Sequence, residues 1–154
     1  MPTLQDTSTL SASRMEHRIL EHVKQALRVT LDWKAPVVSM PRKLSSLQFT
    51  MKSFERHLKR LMSIEEEGGY MAEVAEMKPH LQDRVDCLTG DHDLFRERIR
   101  ELVPSLADIN EWEEERFHEA CDEIRALLDD VDEHDAREVE LIQETLLLDE
   151  GGEG

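Results

Sequence analysis

Apolar residues recur along four long stretches of the chain at steps of three and four, the spacing that gathers side chains on one face of a helix. In the last stretch the stripe is Ile124, Leu128, Val131, His134, Glu138 and Leu141. In the second it is Leu44, Leu47, Met51, Phe54, Leu58, Leu61 and Glu65, and in the third Leu81, Val85, Leu88, His92, Phe95, Ile99 and Leu102. In the first, Met15, Ile19, His22, Ala26, Val29 and Trp33 keep the same rhythm, which sets His22 on the apolar face and leaves His17 to solvent beside Glu21 and Lys24. No strand-like alternation interrupts these stretches.

Boundary signals divide the stretches into helices. Ser13 and Glu16 have capping-box spacing and open a first helix that ends near Trp33, ahead of Pro36 and Pro41. A second helix runs from Arg42 to Glu67 and stops at Gly68-Gly69. Tyr70 to Met77 form a short connecting helix, Pro79 suits the first turn of a third, and Pro104 ends it. Gly90 inside that helix costs about 1 kcal/mol against Ala and leaves room for a close approach. Asp108 and Glu111 have cap-like spacing and open the last helix, which runs to Leu147. Residues 1–12 read as a flexible arm and 149–154 as a disordered acidic tail.

Four amphipathic helices with short links imply an all-α, up-down-up-down four-helix bundle over residues 13–148. Each helix then carries a polar group in its own apolar seam: His22, Glu65, His92, and the pair His134 and Glu138. Buried imidazoles and carboxylates need partners, because an unpaired buried polar group costs a few kcal/mol and a charge more. One such residue per helix makes a constellation. His57 lies one turn before Leu61 and borders the same seam, whereas His80 and His118 fall outside it.

Composition narrows the classes. At 154 residues the chain is long enough for one domain with a proper core. A formal charge of −16 argues against nucleic acid or an anionic membrane as partner. The longest apolar runs are far short of the roughly 20 residues that span a bilayer, and the polar N-terminus lacks a secretory h-region. Cys87 and Cys121 have neither CxxC spacing nor the numbers of a disulfide scaffold, so they read as small packing residues in a reduced, cytoplasmic compartment. The methionines read as packing, and the acidic face of the last helix as solvated surface.

Imidazoles and carboxylates converging inside a bundle form a mixed nitrogen and oxygen donor set, which suits Fe, Mn or Zn rather than Ca or Mg. His134 and Glu138 can both ligate from one helix. The segments LEHVKQAL, HLKRLMSIEEEGGYM, LTGDHDLF and VDEHDAREVELIQE resemble the four helices of the hemerythrin-like family, the HHE cation-binding domain, over residues 13–147. The resemblance implies a non-haem di-iron centre used for O2 binding, sensing or iron handling. Matched position by position, His22 is the helix-one ligand, Glu65 the bridging acid, His92 the helix-three ligand, and His134 with Glu138 the last pair.

Two positions depart from the family pattern. Leu61 stands where helix two should carry a His, and Arg96 where helix three should carry a second one. His57 is the candidate replacement, so the iron could be dinuclear or mononuclear. The alternative is a metal-free structural or interaction bundle in which Arg96 pairs with Glu65 or Glu138 in the metal's place, serving a protein partner or a second copy of the chain. A di-iron oxidase or peroxidase-like enzyme ranks last, since nothing identifies a substrate.

Overall fold

A computed structural model of the chain describes residues 4–34 and 36–151, with side chains over 11–34 and 36–145. Four long helices account for most of it: α1 (Leu4–Leu31), α2 (Met40–Glu66), α4 (Gln82–Asp108) and α5 (Glu114–Gly151). The short α3 (Tyr70–Met77) and a 3-10 turn (Pro79–Leu81) link α2 to α4. No strand occurs among the described residues.

The helices close into an antiparallel ring, α1 on α2, α2 on α4, α4 on α5 and α5 back on α1. Polar ties at one end fix this order. Lys43 Nζ donates to the carbonyls of Leu31 and Trp33, Arg125 donates to Leu31, and Gln48 donates to Leu106. These bonds satisfy carbonyls that helix ends leave without an intrahelical partner. At the opposite end α3 folds over the bundle, and Met71, Val74, Leu81, Val85, Leu88 and Leu141 form a small core of their own. The main core fills the rest, from Leu20, Leu27, Leu47 and Phe54 to Ile99, Ile124 and Val131.

The stripes expected for α2, α4 and α5 are the buried faces observed. The stripe expected for α1 is not. Its buried face is Glu16, Leu20, Lys24, Leu27, Thr30 and Leu31, so the helix is turned by one residue, about 100°, from the expected register. Met15 and Val29 are 64% and 52% exposed. Leucines at 20, 27 and 31 bury more apolar surface than the Met, Ala and Val of the competing stripe, and Glu16, Lys24 and Thr30 are buried with partners.

Several boundaries also differ. No proline or glycine lies between Leu4 and Ser13, and the helical backbone of α1 already begins at Leu4, inside the expected arm. The backbone of α5 is helical to Gly151; residues 152–154 lie outside the described residues. α2 starts two residues early, capped by Ser39 with Pro41 in its first turn. Pro104 sits inside α4 instead of ending it, since burial of Leu102 and Leu106 holds the helix across the missing N–H. Asp108 therefore closes α4 rather than opening α5. The opening turn is built by Asn110, which accepts from the Trp112 amide while its own amide donates to Glu113.

Candidate metal centre

A polar layer separates the two cores. Along α4 it falls between Leu88 and Phe95, along α5 between Val131 and Leu141, and at the end of α2 just past Met62. Glu65, His92, His134 and Glu138 meet there, each no more than 3% exposed. One donor atom from each lies within 4.8 Å of every other. His134 Nε2 stands 2.5 Å from Glu138 Oε1, and His92 Nε2 is 3.6 Å from both Glu65 Oε2 and Glu138 Oε1.

The outer nitrogen of each ring is taken. His92 Nδ1 is 3.1 Å from Glu66, and His134 Nδ1 is 2.9 Å from Asp91. With Nδ1–H donated outward, each ring turns its Nε2 toward the carboxylates within. Two lone pairs cannot face each other in a dry core unless a proton or a cation lies between them. Carboxylates that hold the far nitrogen are the usual support of a metal-binding imidazole.

The charges in the layer follow. Burial, together with the adjacent Glu138 carboxylate, pushes Glu65 up to about 11. Burial acts the same way on Glu138, but the hydrogen bond with His134 and the neighbouring His92 and Glu65 outweigh it and hold that carboxyl well below its ordinary range. For His134 burial opposes the charged form, and Glu138 and Asp91 more than offset it, so its value rises. Without a metal, protons supply the positive charge. Glu65 Oε2 nonetheless remains buried with no hydrogen-bond partner. An orphaned carboxylate oxygen facing an inward-turned imidazole is what a cation would satisfy, so the donor set fits a metal.

The hemerythrin HHE cation-binding domain model matches residues 7–146. The chain belongs to the hemerythrin family. No curated protein and no solved structure matches it. Cation binding is therefore the property its family carries, and the bundle is a hemerythrin-like one.

Within this hemerythrin-like bundle, four of the expected site residues come together and two do not. His22 is exposed, because the turn of α1 carries it away from the seam. The same turn brings His17, expected in solvent, to 3.5 Å from Glu65 at 40% exposure. His57 lies apart and half-buried, 2.9 Å from the buried Glu16, which the exposed Arg60 also pairs. Leu61 is buried in the main core. Arg96 reaches neither Glu65 nor Glu138; it bonds Glu66 and Asp93, standing behind His92 rather than inside the layer. The metal-free network expected around Arg96 thus has no core guanidinium.

Other expectations resolve simply. His80 and His118 are exposed, and Cys121 is buried. Cys87 is exposed, not a packing residue, because it lies just off the Val85–Leu88 seam. Gly90 has open space where a Cβ would go, so no close approach requires it. The residues that sequence reasoning missed are Glu66, Asp91 and Lys24. The first two adjoin Glu65 and His92 in sequence, a hint that adjacency alone could not turn into a contact. Lys24, 4% exposed, lies among Glu21, Asp132 and Asp135 at 2.6, 2.7 and 3.0 Å.

Proposed function

We propose that the chain binds one transition-metal ion, iron in its physiological form, through Glu65, His92, His134 and Glu138, and uses it to bind or sense O2 or a related small molecule. The observation that carries this reading is the inward-facing Nε2 pair, held by Glu66 and Asp91, opposite the orphaned Glu65 Oε2. Two imidazoles and two carboxylates suit iron by donor type. Bound there, iron would supply Lewis acidity and one-electron redox chemistry. The protein's own part is to fix both imidazole tautomers, to exclude water by the apolar cores on either side, and to give up the Glu65 and His134 protons as the ion enters.

A single ion is favoured over two because the second acidic group near the site is already neutralised. Glu21, Asp132 and Asp135 could otherwise gather a cation, but the Lys24 ammonium holds all three. Leu61 adds an apolar wall where a further imidazole would be needed. The test is metal content by mass spectrometry on untagged protein from iron-rich medium. About one ion per chain, lost in His134→Ala, is the expected result; a chain that stays folded but takes up no metal on reconstitution would sink the proposal.

A further inference from the structure

We infer that the Tyr70 hydroxyl belongs to this site as the hydrogen-bond donor to a small anionic ligand, such as azide or hydroxide, held beside the metal. The inference rests on the metal-binding reading above and extends it to a residue outside the four-donor set.

The turn after α2 is built to deliver this hydroxyl. Gly68 has φ +152°, a backbone conformation that L side chains rarely adopt. A Cβ on Gly69 would stand 2.7 Å from the Glu65 Cα and from the Ile64 carbonyl oxygen, so only glycine lets the chain fold this tightly against the end of α2. Tyr70 follows at once as the first residue of α3. Its ring packs on the small core of Met71, Val74 and Leu88, and its oxygen lies beside the Glu138 and Glu65 carboxylates.

That oxygen makes no hydrogen bond of normal geometry, although both carboxylates lie next to it. Among the described residues only two buried side-chain polar atoms lack one, the Tyr70 hydroxyl and Glu65 Oε2, and both belong to this layer. An unmade bond at a buried polar group costs roughly 1–3 kcal/mol, so two neighbouring orphans call for an absent group. A cation satisfies the carboxylate oxygen but offers nothing to an O–H donor. A small ligand with a free lone pair satisfies the hydroxyl. The two orphans therefore mark two components, a metal on the Glu65 side and a hydrogen-bond acceptor on the Tyr70 side.

The experiment compares the full chain with Tyr70→Phe. Both are loaded with ferric iron, assayed for iron content, and titrated with azide by visible absorption. Tyr70→Phe is expected to keep its iron and to bind azide about 3- to 10-fold more weakly, the worth of one hydrogen bond. Because the hydroxyl makes no hydrogen bond of normal geometry in the metal-free fold, the variant without metal should unfold at the same temperature as the parent or slightly higher. Equal azide affinity overturns the inference. So does a clear loss of metal-free stability, which would mean that the hydroxyl already serves a carboxylate. A strong visible band in the azide-free iron protein that vanishes in Tyr70→Phe overturns it as well, because the phenolate would then be a ligand itself. A parent chain that takes up no iron removes the metal reading, and this inference with it.

Discussion

His134 Nδ1 stands 2.9 Å from Asp91 Oδ2, across the α4–α5 interface, and this contact decides which ring nitrogen faces the core. Were Asp91 absent, the ring could rotate or change tautomer, and the inward Nε2 would no longer be fixed opposite Glu138. Arg137, 3.2 Å from the same carboxylate oxygen, holds Asp91 in place.

Asp91→Ala is therefore expected to weaken metal affinity by about 10- to 100-fold while the helices stay folded. Glu66→Ala should act likewise through His92. Competition with a chelator of known affinity measures both, and a variant that holds metal as tightly as the parent would show that the outer carboxylates do not orient the rings.

Metal uptake should release protons. Glu65, at about 11, is protonated at neutral pH in the metal-free protein, and the raised His134 carries its proton further up the pH scale than a free imidazole. Affinity should therefore keep rising with pH beyond neutrality, where ordinary carboxylates have long since ionised. Calorimetry in buffers of different ionisation heat counts the protons. The count should drop in Glu65→Gln, and a release that is independent of Glu65 would contradict the charge assignment.

The Lys24 cluster adds an acid dependence of its own, in stability rather than in metal affinity. Burial would raise the Asp132 carboxyl, but Lys24 and Arg28 outweigh it and hold it below its ordinary 3.8. The folded state therefore binds this proton less readily than the unfolded chain. The stability so gained is present above that ordinary value and is lost as pH falls through the lower folded one. Asp132→Asn should lower the Tm at neutral pH, and the gap should close in acid. A gap of constant size across the titration would remove the ion pair as its cause.

Lys24→Met leaves Glu21, Asp132 and Asp135 crowded together without their shared cation. Breaking a fully buried pair costs about 3–5 kcal/mol, and here water still reaches Glu21 and Asp132, so roughly 1–3 kcal/mol is expected in urea unfolding. An unchanged midpoint would mean that the carboxylates find other partners.

Gly90→Ala should stabilise the chain by roughly 0.5–1 kcal/mol, because the position is helical, exposed and open where the methyl would go. Thermal unfolding of the metal-free protein reads this directly, and a lower Tm would point to a role for Gly90 that its surroundings do not show.

Helical spacing was enough to specify the bundle and most of its core. In α2, α4 and α5 the apolar stripes are long and nearly unbroken, so Glu65, His92, His134 and Glu138 could be placed in one layer from spacing alone. Helical periodicity is a local property, and these three helices have only one face apolar enough to bury. In α1 two stripes a single residue apart share that periodicity, and the choice between them is tertiary. Leu20, Leu27 and Leu31 win because the neighbouring helices offer them a core, while His57, Asp132 and Asp135 offer Glu16 and Lys24 their partners. That one-residue turn removed His22 from the site and brought His17 to its edge. The same kind of decision sent Arg96 to Glu66 and set Asp91 behind His134. A side chain's partner depends on which helix lies across from it and at what height, and only the packed structure specifies either.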